Sequence, residues 1–155
     1  MGKEIERKFL VRGNTWKSLA PGILYRQGYL VSDRQRTVRV RLAGNTGYLT
    51  IKGETSGATR DEYEYEIPAA DAVAMLDNLC AGPLIEKRRH KIAYAGQTWE
   101  VDEFTGDNTG LVVAEIELCS EDQQFELPVW VGAEVTEDPR YYNASLVKNP
   151  YKNWK

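Results

Sequence analysis

Apolar and charged residues alternate with a period of two through most of this chain. In "GKEIERKFLV", Glu4, Glu6 and Lys8 fall on one side of an extended chain and Ile5, Arg7 and Phe9 on the other, whereas a helix would scatter them around its surface. "TVRVRL" sets Arg39 and Arg41 against Val38, Val40 and Leu42, and "LTIK" sets Lys52 opposite Ile51. "EYEYEI" aligns Glu62, Glu64 and Glu66 against Tyr63, Tyr65 and Ile67, and "EKRRHKI" aligns Lys87, Arg89 and Lys91. "WEVDEF" puts Glu100 and Asp102 opposite Trp99 and Val101, while "VAEIEL" puts Glu115 and Glu117 opposite Ala114, Ile116 and Leu118.

With the punctuation between them, these patterns predict eight strands, over 3–11, 24–31, 36–43, 46–53, 60–67, 84–95, 97–104 and 111–119. "GNTG" after Leu42 and "YAGQ" at 94–97 read as tight hairpin turns. Three helices are expected. The first starts after Pro68, with Val73, Leu76 and Leu79 on one face. The second covers "SEDQQFEL", with Ser120 as N-cap and Gln123 three residues on. The third runs from about Tyr142 to Val147 and stops before Pro150.

Cations and carboxylates are sorted by strand, and each charged face is backed by an apolar one. Two architectures satisfy this: a sheet with one wet face, or a barrel closed around a charged interior with its apolar exterior covered by helices. Tyr63, Tyr65 and Trp99 are expected in the core beneath those helices. At 155 residues the chain makes one domain, 1–155. The net charge of −3, from twenty basic and twenty-three acidic residues, gives no global field for nucleic acid. No apolar run approaches the roughly 18 residues of a membrane span, and a start charged from Lys3 does not read as a signal peptide. Cys80 and Cys119 read as small buried hydrophobes in a reducing compartment, which places the protein in the cytoplasm. His90, the lone histidine, falls opposite Lys87 and Arg89 and reads as structural.

Carboxylate pairs on adjoining strands suit hard divalent cations, and grouped Arg and Lys suit a polyanion. Together they describe a site for a metal-bound phosphate chain. There is no GxxxxGK[ST] phosphate loop.

The opening "EIERK" fits ExExK, and "RQGYL", "VRVRL", "TIKG", "EYEYEI", "IEKRRHKI", "WEVDEF", "VAEIEL" and "VTEDPRYYNASL" follow in order. This succession resembles the CYTH superfamily, the triphosphate tunnel metalloenzymes, most closely its short bacterial tripolyphosphatase-like members. The resemblance implies a mainly β (α+β) fold: a closed eight-stranded antiparallel barrel forming a tunnel, its interior charged, with a few helices packed outside. It implies Mg²⁺ or Mn²⁺ held by Glu4, Glu6, Glu115 and Glu117, with Asp102 and Glu62 or Glu64 as lesser candidates. Lys8, Arg39, Arg41, Lys52, Lys87 and Arg89 would bind the triphosphate, and Arg140 would close one mouth. Tyr29 takes the place of a proton-accepting tyrosine, so Tyr29, Lys8 and Lys87 are the catalytic candidates, although an ordinary tyrosine is a poor base at neutral pH.

The expected activity is metal-dependent removal of a terminal phosphate from inorganic tripolyphosphate. On the same fold, a nucleoside or thiamine triphosphatase and an adenylyl cyclase are the alternatives, and a non-catalytic polyphosphate-binding module is a further one. The partner is then a small-molecule triphosphate, without nucleic acid or membrane, and a homodimer is left open.

Overall fold

In the computed structural model, which describes residues 2–154, alternation becomes nine strands. They are β1 (Gly2–Val11), β2 (Gly22–Ser32), β3 (Arg36–Ala43), β4 (Thr46–Gly53), β5 (Thr59–Ile67), β6 (Ala81–Tyr94), β7 (Gln97–Phe104), β8 (Val112–Glu117) and β9 (Val131–Glu134). Helix α1 (Ala69–Asn78) links β5 to β6, and α2 (Asn143–Lys148) follows β9. Two-residue loops join β3 to β4 and β6 to β7. Gly44 at φ 59° opens the first, and Ala95 and Gly96 at φ 49° and 79° form the second, the positive φ values that short hairpins need.

All pairings are antiparallel, in the order β5-β4-β3-β2-β6-β7-β8-β1, and β5 pairs back onto β1 to close a ring of eight. The ring is closed by only four residue pairs, Gly2–Ile5 against Glu62–Thr59. Beyond them the same edge of β1 passes to β9, where Phe9 and Val11 face Glu134 and Val131. Arg7 fastens that junction with two hydrogen bonds to Glu134, at 2.8 and 2.6 Å.

Because the strand period is two, one register turns every charged doublet inward and the apolar residues outward. The outer face of β1, β6, β7 and β8 carries Phe9, Ile92, Trp99, Val101 and Ile116, covered by Trp16, Phe125 and Trp130. Helix α1 covers Val40, Leu42 and Leu49. At one end, positions on the charged face become apolar: Leu10 follows Lys8, Ile85 precedes Lys87, Phe104 follows Asp102 and Val113 precedes Glu115. There they pack against Tyr141, Leu146, Tyr151 and Trp154.

Several expectations are corrected. No helix covers 120–127: Gln123 accepts the Cys119 N–H at 2.6 Å and Ser120 donates to Asp122 at 2.8 Å. These side-chain bonds stabilise a turn in place of a helix start. Cys119 is exposed and Cys80 half-buried, both as free thiols. Tyr63 and Tyr65 are exposed, since α1 lies mainly over β3 and β4, while Trp99 is fully buried. The buried face of α1 is Ala72, Met75 and Leu76, and Leu79 lies outside it. His90 is structural: its Nδ1 lies 2.9 Å from Ala20 O and its ring meets Trp16 edge-on.

Candidate active site

The ring encloses a cavity of about 710 Å³, within the range of small-ligand pockets. Its wall includes Glu4, Glu6, Lys8, Tyr29, Arg39, Arg41, Lys52, Glu62, Glu64, Lys87, Arg89, Glu115 and Glu117. The barrel thus gathers thirteen of the fifteen expected site residues, from seven strands. Asp102 and Arg140 are the two that do not line it.

Asp102 lies behind the wall, 1 % exposed. Arg89 donates to it twice, at 2.7 and 2.8 Å, and Lys87 once at 2.7 Å. Burial alone would push the Asp102 carboxyl up, but Arg89 and Lys87 hold it below its ordinary range. It serves as the counter-ion that aims both cations. Lys8 meets Glu115 at 3.2 Å and donates to Tyr141 O at 3.1 Å, while Lys87 donates to Asn143 Oδ1 at 3.2 Å. The C-terminal segment therefore positions two lumen lysines.

Across the cavity, Glu64 accepts from Thr50 at 2.7 Å and pairs with Arg41 at 3.1 Å and Arg39 at 3.5 Å. The Nε atoms of Arg39 and Arg41 are buried without an acceptor among the described residues, a condition that folded proteins seldom tolerate unless something else completes it. Glu4 pairs with Lys52 at 3.1 Å and with Arg60 at 3.2 Å.

Glu6 and Glu117 face each other across β1 and β8, and neither forms an ion pair among the described residues. Burial, then Glu115 and Glu4, push the Glu6 carboxyl well above its ordinary value; burial, then Glu4 and Glu62, raise Glu117. Among the described residues, no three acidic, histidine or cysteine side chains are drawn together tightly enough to hold an ion as they stand. Protein cations already pair with Glu4, Glu64 and Glu115.

Tyr29 lines the cavity, with its hydroxyl 3.4 Å from Gln27 Nε2, and burial raises its pKa. Arg140 is turned outward onto Asp138 at 2.8 Å and onto the Trp154 ring, so it does not reach the cavity. Sequence reasoning missed Arg60, which shares the charged face of β5 with Glu62 and Glu64; extending the alternation two residues back exposes it. It also missed Tyr25 and Tyr48, whose rings the Arg41 and Arg89 guanidinium groups cover at 5.0–5.6 Å.

A closed antiparallel barrel with this charged lumen is the architecture of a defined class, and the sequence bears the class out: a CYTH domain matches residues 2–151. The chain belongs to the CYTH family. It is 59 % identical over 155 residues to an inorganic triphosphatase of Acetivibrio thermocellus, covering 100 % of this chain and 99 % of that one. An inorganic triphosphatase of Nitrosomonas europaea is 39 % identical over 151 residues, 92 % of this chain and 95 % of its own. A crystal structure of an inorganic triphosphatase shares the fold at a TM-score of 0.66, with 36 % identity and 93 % of each chain covered. Among the described residues, no helix is long and apolar enough to cross a membrane.

Proposed function

We propose that this protein hydrolyses inorganic tripolyphosphate to orthophosphate and the shortened chain, with Mg²⁺ or Mn²⁺ as cofactor. The observation that carries this is the pair of buried guanidinium groups, Arg39 and Arg41, each with an Nε unmet by protein, in a cavity that Lys8, Lys52, Lys87 and Arg89 also line. The wall carries ten Lys and Arg against nine Asp and Glu, close to neutral before a polyanion enters. A triphosphate therefore arrives most favourably with divalent cations attached.

The donor set fits such an ion: all-oxygen ligands with two carboxylates, Glu6 and Glu117, that no protein cation neutralises. These two would hold it, with Glu4, Glu115 or Glu62 joining as their partners turn to phosphate. When bound, the ion neutralises phosphate oxygens and orients the attacking water. The chain's own residues supply the rest. Arg39, Arg41 and Lys52 hold one stretch of the phosphate chain, Lys8, Lys87 and Arg89 the other, and all spread the charge of the transferring group. Asp102 and Glu64 keep the forks aimed, which lowers the cost of ordering them. In a loose transition state the water needs little deprotonation before attack. Tyr29, its pKa raised, remains protonated and donates a hydrogen bond in place of accepting a proton.

Phosphate release is to be measured with tripolyphosphate, ATP, thiamine triphosphate and pyrophosphate, each with Mg²⁺ or Mn²⁺. Fastest release from tripolyphosphate is expected, because the wall is dominated by charged groups and two of its rings, Tyr25 and Tyr48, already lie against arginines. Release from none of them, or cAMP formation from ATP, would overturn the proposal.

A pH dependence also follows. Burial lowers the Lys87 ammonium to about 8, with Asp102 acting against it, so its charge fades as pH rises through that value. The profile of kcat/KM for tripolyphosphate should descend above pH 8. Lys87→Arg should move that limb to higher pH, because guanidinium keeps its proton. An unmoved limb would assign it to another group.

A further inference from the structure

Arg60 lies on β5 directly opposite Glu4 of β1, within the four pairs that close the ring. Its Nε is 3.2 Å from Glu4 Oε1, the oxygen that Lys52 Nζ also approaches, at 3.1 Å. Lys52 reaches the second oxygen too, at 3.2 Å, so of the two cations Arg60 has the weaker hold. Its Nη groups meet no acceptor among the described residues, and its side chain lines the cavity. Arg89 is different: Nε and Nη2 bind Asp102 and Nη1 meets Glu100, so it is locked in place. The charge of Arg60 is also central, since it bears on Glu4, Lys8, Tyr29 and Lys52 together.

One carboxylate held by two cations is over-neutralised, and a divalent ion at Glu4 must displace one of them. We propose that Arg60 exchanges partners, covering Glu4 as seen here and turning its two free Nη groups onto the phosphate chain when a divalent cation takes that carboxylate. This rests on reading the cavity as a site for tripolyphosphate and metal. Arg60 is then a substrate ligand that links the two binding events, because vacating Glu4 and gripping phosphate are one movement. A guanidinium is well suited to such an exchange, since it keeps its charge throughout and offers a planar fork to phosphate oxygens.

The test uses equilibrium binding without turnover, for the wild type, Arg60→Gln and Arg60→Lys. Mn²⁺ alone is titrated by calorimetry or paramagnetic resonance, and tripolyphosphate alone is titrated in EDTA. Arg60→Gln should bind Mn²⁺ at least about fivefold more tightly, because a competing charge near Glu4 is gone. It should bind tripolyphosphate about tenfold more weakly, having lost a charge-assisted contact. Arg60→Lys, which keeps the charge without the fork, should bind Mn²⁺ like the wild type and tripolyphosphate with intermediate affinity. Opposite changes for the two ligands are what exchange requires. Unchanged tripolyphosphate binding in Arg60→Gln would overturn the inference. So would a parallel loss of both ligands with a lower Tm, which marks a mere fastener of the ring. Failure of the wild type to bind tripolyphosphate at all would instead defeat the reading of the site.

Discussion

Glu6→Gln is expected to cost activity and leave the barrel at least as stable as before. In the proposed site this carboxylate is one of two left without a protein cation, so its partner is the metal. Losing it should lower kcat/KM for tripolyphosphate by about 10²–10³-fold, the scale of a few kcal/mol of transition-state stabilisation. Stability should move the other way. The Glu6 carboxyl titrates well above its ordinary value of 4.5 in the folded chain, so the folded state binds this proton more readily than the unfolded one. Stability therefore declines as pH rises from that ordinary value through the raised one, and the ionised group is a net penalty above it. Glutamine removes the penalty. Thermal unfolding at neutral pH without metal should give an equal or higher Tm for the variant, and Mn²⁺ should raise the wild-type Tm more than the variant's. A variant that unfolds earlier and still hydrolyses tripolyphosphate would show that Glu6 is a structural group.

Asp102→Ala is expected to do the opposite, damaging the fold first. It strips Lys87 of its one carboxylate partner among the described residues and Arg89 of its bidentate one, both cations being buried, and an uncompensated buried charge costs about 3–5 kcal/mol. For a chain of this length that is roughly 6–20 °C in Tm. Asp102→Asn, which keeps the shape and one acceptor, should lose less. The Asp102 carboxyl is held below its ordinary value of 3.8, so the stability it confers is complete above that value and is lost as pH falls through the depressed one. Wild type and Asp102→Asn should thus converge in stability under acid conditions. Parallel stability curves from neutral to acid pH would refute this account of the residue.

The barrel was legible in the sequence because alternation states which side chains share a face, and seven of the eight expected strands carry it. Alternation does not say what covers a face, which is why Tyr63 and Tyr65 were expected in a core that α1 does not extend to. β9 has only four residues, "VGAE", and owes its existence to the edge of β1 that β5 leaves free, a fact of topology invisible in local pattern. The capping pattern at Ser120 was real as chemistry, since those side chains do hydrogen-bond to nearby groups, but it serves a turn. At the site, charged doublets marked the lumen correctly. Which carboxylates stay unpaired depends on the register between β1, β5 and β8. Asp102 and Glu115 look alike in sequence, yet one lies behind the wall and the other on it.

β1 touches β5, β8 and β9, elements drawn from the middle and far part of the chain. Ring closure must therefore wait for contacts of great sequence separation, which makes for slow assembly. A ribosome-bound chain that has not yet emitted β8 lacks Glu115, Glu117 and the wall that faces Glu6. Such an intermediate has cationic strands but no complete trap for a polyphosphate. Catalytic competence then switches on as an all-or-none property of the finished ring.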